Sequence, residues 1–120
     1  MIARAWIDAL PGDAALYFCR FTQLGLLRLL TNTAAMGPDV MTQSQAWAAF
    51  DALVADSRNR LLNEPAGLDP IFRRHTSSHR SETKQWADGY LAAFASVAAL
   101  QLVTFDRPLA ARTKGAVLLA

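Results

Sequence analysis

A chain of 120 residues amounts to one compact domain, and with 52% apolar side chains it can bury a core of its own. Its formal charge of +2 excludes a polycation that grips nucleic acid through bulk charge, so such binding would need a local basic patch. The single cysteine excludes an internal disulfide.

Cys19 sits among apolar neighbours and reads as a buried, reduced thiol. Arg4 and Asp8 interrupt the N-terminus, which argues against a secretory signal. Apolar runs stay shorter than the roughly 20 residues that span a bilayer. These features point to a soluble, cytoplasmic protein without a membrane partner. Neither repeats nor low-complexity segments interrupt the chain, so residues 1–120 are read as one domain.

Ile2 to Leu10 has helical spacing and is stopped by Pro11-Gly12. Ala15 to Cys19 (ALYFC) is a short strand-like run. It leads directly into FTQLGLLRLLTN, where Phe21, Leu24, Leu27 and Leu30 recur at helical spacing. Thr42 with Gln45 three residues on forms a capping box for the helix QSQAWAAFDALVADS. Arg60 to Asn63 is a strand ended by Glu64-Pro65, and Leu68 to His75 is a short helix. Ser81 or Thr83 is expected to cap the long helix that runs to Ala98. Gln101 to Phe105 and Ala116 to Leu119 complete the strands. Continuous apolar strands separated by helices predict an α/β fold, a mainly parallel sheet covered on both faces.

Two acids bracket the most apolar stretch, WADGYLAAFASVAALQLVTFDRP. Asp88 falls in the first turns of its helix, where the macrodipole favours an acid. Asp106 follows a strand and precedes Arg107-Pro108, a place that suits a helix cap. In a parallel α/β sheet, however, chemistry gathers at the carboxyl ends of the strands. Asp106 lies at such an end, and a helix running antiparallel to the strands starts there, which brings Asp88 to the same edge. Neighbouring carboxylates repel unless a cation lies between them, and oxygen ligands suit Mg²⁺ or Mn²⁺.

CRFTQLGLLRLLTN, QAWAAFDAL, WADGYLAAFA and LVTFDRPLA, in this order and spacing, resemble the PIN-domain toxins of the VapC type. The resemblance covers the chain from Ala5 onward. It implies a three-layer α/β/α fold and a Mg²⁺-dependent endoribonuclease, the toxin of a toxin–antitoxin pair, that cleaves RNA by metal-activated water. An RNA substrate, a cognate antitoxin and a homodimer are the partners it implies. Asp88 matches the acid of the family's Thr-Asp-Ala-Tyr-Leu motif, here flanked by Ala87 and Gly89. Asp106 matches the acid of its Thr-Phe-Asp motif, and Thr104 is placed to help hold water there. Asp88 and Asp106 would be the metal ligands.

Two departures from the pattern bear on activity. The family often has Thr-Glu where this chain has Thr22-Gln23, although a branch of it reads Thr-Gln. Gln23 can hydrogen-bond water but adds no charge. The family also begins with a strand of the type Leu-Leu-Asp-Val-Asn, whose acid is a principal ligand. Against that pattern Met1 falls partway into the following helix, near Ala5-Trp6, so about two dozen residues of strand and crossover helix would be missing. That strand lies mid-sheet in PIN domains. Without it two half-sheets are expected, ALYFC with RLLN and QLVTF with AVLL, with inner edges that leave backbone groups unpaired. A start codon placed too late, closure or exchange of strands between copies, and a degenerate fragment are three ways to resolve those edges.

Arg73, Arg74, His75, His79 and Arg80 make a basic stretch that, with Arg20, Arg107, Arg112 and Lys114, would form a phosphate-contacting rim or simply a solvated face. Arg20, Arg73, Arg74 and Arg107 are the substrate-binding candidates. Glu64 ends a strand and is either a further site acid or a strand stop. His75 and His79 are spaced by four, but with Thr-Ser-Ser between them and no cysteine nearby they read as loop histidines, not zinc ligands. Trp6, Trp47, Trp86, Phe50, Tyr90 and Phe94 lie on apolar stripes and are expected in the core. Arg28, in an otherwise apolar helix, is expected to be buried against an acid. A phosphoacceptor receiver domain would need an acid cluster after the first strand and is discounted. The reading from another class is a catalytically impaired PIN remnant that serves as an antitoxin-binding module.

Overall fold

A computed structural model describes residues 15–104, 107–113 and 115–118. The expected helix at Ile2 to Leu10, Trp6, Phe105, Asp106 and Lys114 lie outside these residues. Two compact units make up the chain, one from Leu10 to Asn63 and one that takes in Glu64 to Ala120.

In the first unit β1 (Tyr17–Phe18) runs into α1 (Arg20–Leu30), followed by the short α2 (Thr33–Met36) and a 3₁₀ turn at Gly37–Asp39. Then come α3 (Gln43–Ala55) and β2 (Arg60–Leu61). β1 and β2 pair in parallel, with Tyr17 opposite Arg60 and Phe18 opposite Leu61. Asn59 fixes the entry to β2. Its Oδ1 accepts from Leu16 N at 3.0 Å, and its Nδ2 donates to Leu53 O at 2.9 Å. α1 starts immediately after β1 because Cys19 is extended and serves as its N-cap. Thr22 Oγ1 accepts from Cys19 N at 2.9 Å, which satisfies a donor the helix cannot. The capping box of Thr42 and Gln45 at the head of α3 is present as predicted.

α1 packs on α3, and Phe50 of α3 is the hub. Its ring meets Phe18 edge-on at 5.6 Å and Trp47 at 6.3 Å. Cys19, Ala46 and Phe50 are buried. Several expectations fail here. Trp47, expected in the core, is 48% exposed, and on α1 Phe21 and Leu24 are 46% and 52% exposed while Leu27 and Leu30 are half-buried. Arg28 is exposed in the last turn of α1, where a cation suits the negative end of the helix and needs no buried acid.

The second unit contains α4 (Leu68–Thr76), α5 (Gln85–Val97), β3 (Val103–Thr104), α6 (Arg107–Arg112) and β4 (Val117–Leu118). β3 and β4 are parallel, with Val103 opposite Val117 and Thr104 opposite Leu118. Both predicted strand pairs are therefore formed, each as a two-stranded sheet. α5 and α4 make the most extensive helix pair among the described residues. The buried faces are built from small groups: Ala92, Ala93 and Ala95, together with Phe94, Leu68 and Leu109. Gly89 is where the two helices come closest. A Cβ there would overlap the methyl of Thr76 and lie 3.5 Å from His75 Cβ. Phe72 meets Tyr90 edge-on at 5.7 Å, and Tyr90 meets Phe94 at a tilt of 56° and 6.1 Å.

Both ends of α5 differ from expectation. Neither Ser81 nor Thr83 caps it. Lys84 holds the N-cap position and is already helical, at φ −69° and ψ −22°, so the chain enters through a turn and not from an extended cap. Trp86, in the first turn, is 60% exposed and not core. At the far end Ala98 is the C-cap and Ala99 adopts φ 56°. Leu100 N donates to Ala95 O at 2.8 Å and Ala99 N to Ser96 O at 3.3 Å. That is a Schellman motif with alanine where glycine is usual.

Candidate functional site

Among the described residues only two polar side chains are buried, Gln23 at 3% and Asp88 at 7% exposure. Both stand at positions where the sequence points to chemistry. Burial of polar groups is costly unless they find partners, so this coincidence carries weight.

Asp88 lies in the first turn of α5, beside the Gly89 contact with α4. The positive end of the helix favours its negative charge. At the next residue, Gly89, α4 comes so close that a side chain would meet Thr76. Thr104 is half-buried on β3 in the same unit. Asp106 lies outside the described residues, and the expected meeting of the two acids lies there with it. Among the described residues no group of three or more His, Cys, Asp or Glu side chains is arranged to hold a metal ion.

Gln23 belongs to the other unit and is the one buried residue of α1. Its Oε1 accepts from Arg20 Nη1 at 2.5 Å. Arg20, expected on a phosphate rim, is thus engaged with the candidate site residue one turn along its own helix. An i, i+3 pair on a helix is legible in sequence, so the signal was there to find. Thr22, the other half of the Thr-Gln pair, is committed to the cap at Cys19.

The other substrate-binding candidates, Arg73, Arg74 and Arg107, are exposed. Arg73 pairs with Asp69 through a 2.6 Å contact between Nε and Oδ2, and that hydrogen bond raises the guanidinium pKa further. Arg73, Arg74 and His75 occupy the last turn of α4 and Asp69 its first, a charge order that matches the macrodipole at both ends. Arg107 is exposed at the start of α6. His79 lies exposed in the loop of residues 77–84. Glu64 serves the structure of its unit, since its Oε1 accepts from Tyr90 Oη at 2.8 Å. Tyr90 is two residues from Asp88, so the two side chains leave α5 in different directions.

A scan against protein-family models finds no match. Among curated proteins, ribonuclease VapC41 of Mycobacterium tuberculosis, in two strains, is 42% identical over 108 residues, which cover 87% of this chain and 74% of the relative. An α/β chain with parallel strands and buried polar residues at two of the family's motif positions is consistent with that likeness. The chain belongs to the VapC-type PIN-domain toxins. No helix among the described residues is long and apolar enough to cross a membrane.

Proposed function

We propose that the chain is a divalent-metal-dependent endoribonuclease, the toxin of a toxin–antitoxin pair, built as a single PIN-like domain. The observation that carries this reading is the burial of Asp88 and Gln23 at the family's motif positions.

Asp88 offers hard oxygen donors, the type that Mg²⁺ and Mn²⁺ prefer. Asp106 would be the second carboxylate. When bound, the cation acidifies water and neutralises charge on the scissile phosphate. The chain's own residues do the rest. Asp88 fixes the place of the charge through the rigid α4–α5 contact. Thr104, half-buried on β3 of the same unit, orients water. The exposed Arg74 and Arg107, with Arg73 beside its Asp69, draw the RNA backbone in without reading its bases.

Incubating the chain with labelled single-stranded RNA tests this reading. Cleavage should need Mg²⁺ or Mn²⁺, stop with a chelator, and fall in Asp88→Asn. Chelator-resistant cleavage, or an Asp88→Asn variant as active as the parent, would count against it.

A second reading has its own observation. Phe21, Leu24 and Trp47 are large, apolar and about half exposed in one unit. Surfaces of this kind serve protein partners. A cognate antitoxin or a second copy of the chain would cover them. In a remnant without catalysis that grip would be the whole function. Stable copurification with an antitoxin, combined with no cleavage under any metal, would favour it.

A further inference from the structure

Gln23 has hydrogen-bonding capacity that the fold does not use. A primary amide offers one acceptor oxygen and two N–H donors. The oxygen is taken by Arg20 Nη1 at 2.5 Å. Among the described residues none accepts from Nε2, and none of their buried side-chain nitrogens or oxygens lacks a partner. Nε2 therefore keeps an opening to solvent although the side chain as a whole is 3% exposed.

Arg20 also fixes which way the amide faces. A flipped amide would set N–H donors against guanidinium donors, a repulsive arrangement. The two donors are thus the side of the amide that points away from Arg20. They stand in the first turn of an 11-residue helix, at its positive end, beside an exposed guanidinium. Donors in that field select an oxyanion. A carboxylate at this position would act in the opposite sense. It would repel an oxyanion and draw Arg20 into a salt bridge.

We propose that Gln23 donates a hydrogen bond to a non-bridging phosphate oxygen of the RNA, and that Arg20 is the positioning residue that holds the amide in that orientation. The inference rests on the reading of the chain as an RNA-cleaving protein. It gives Arg20 a different role from the direct phosphate contact expected from sequence.

Fluorescence anisotropy with labelled single-stranded RNA, in EDTA so that nothing is cleaved, tests it. Gln23→Met keeps the shape and removes the donors; it should weaken binding about tenfold, the scale of one hydrogen bond to a charged group. Gln23→Glu should weaken it more. Arg20→Ala should match Gln23→Met, and the double variant should be no weaker than either. Thermal melting establishes that each variant is folded. Effects of Arg20→Ala and Gln23→Met that multiply would show Arg20 gripping phosphate by itself and overturn the positioning role. RNA binding by Gln23→Glu as tight as by the parent would overturn the donor role. A parent chain that binds no RNA would remove the RNA reading and this inference together, an outcome distinct from variants that all bind like an active parent.

Discussion

Between Gln85 and Val97, the residues that leave solvent are mostly small: Gly89, Ala92, Ala93 and Ala95. Between Arg20 and Leu30, the one residue that does so is polar, while Phe21 and Leu24 stay half in water. The first helix has a closely packed neighbour, and glycine and alanine make that closeness possible. The second keeps Phe21 and Leu24 about half exposed. The contrast separates two uses of a helix start. On α5 a buried carboxylate stands beside a close helix contact at Gly89. On α1 a buried amide is paired with Arg20 along its own helix, and the apolar face stays half exposed.

The contrast can be broken at its hubs first. Phe50→Ala removes the ring against which Phe18 and Trp47 pack, and should cost about 3–5 kcal/mol in denaturant unfolding. Leu24→Ala, on the exposed face, should cost well under about 1 kcal/mol in the isolated chain. A loss like that of Phe50→Ala would mean the stripe of α1 is core after all.

Gly89→Ala comes next. Alanine is the better helix former by about 1 kcal/mol. Here its Cβ would strike Thr76, so the helices must part and the net change should be a loss of about 1–3 kcal/mol. A stabilised variant would show that α4 and α5 are not tightly opposed beside Asp88.

Ala99→Gly has the opposite sign. Relief of a left-handed alanine should stabilise the chain by about 0.5–1 kcal/mol, read in the same unfolding experiment.

The smallest effect is set by pH. Hydrogen bonds from Arg58 hold the Asp56 carboxyl at about 2, below its ordinary 3.8. The folded form therefore takes up this proton less readily than the unfolded chain. The contribution is present above about pH 4 and is lost as pH falls toward about 2. Asp56→Asn should flatten the acid limb of stability in that window and change little at neutral pH, because the pair is exposed.

Much of this was legible in the residues. The capping box of Thr42 and Gln45 follows from local chemistry that no tertiary contact can override cheaply. The strand segments followed from local sequence, and their two parallel pairings from the resemblance to PIN domains. The position of Asp88 in a first turn followed from where its apolar run begins. Exposure was not legible. Trp47, Trp86, Phe21 and Leu24 all lie at helical spacing, but spacing tells which residues share a face and not whether a partner covers it. The start of α5 misled for a related reason: Ser81 and Thr83 are good caps, yet Lys84 is already helical and the turn before it does their work. At the candidate site, the motif named Gln23 and Asp88, and the i, i+3 spacing of Arg20 and Gln23 was there to read, while the tie of Glu64 to Tyr90, 26 residues apart, needed the fold.

The central claim is that Asp88 is buried to hold a cation and not to stabilise the helix. Calorimetric titration of the chain with Mn²⁺, alongside Asp88→Asn, tests it most directly. The account predicts saturable heat from the parent and its loss in the variant, which should melt within about 1 kcal/mol of the parent. Equal Mn²⁺ binding by both, or none by the parent with a strongly destabilised Asp88→Asn, would contradict it and make Asp88 a structural acid.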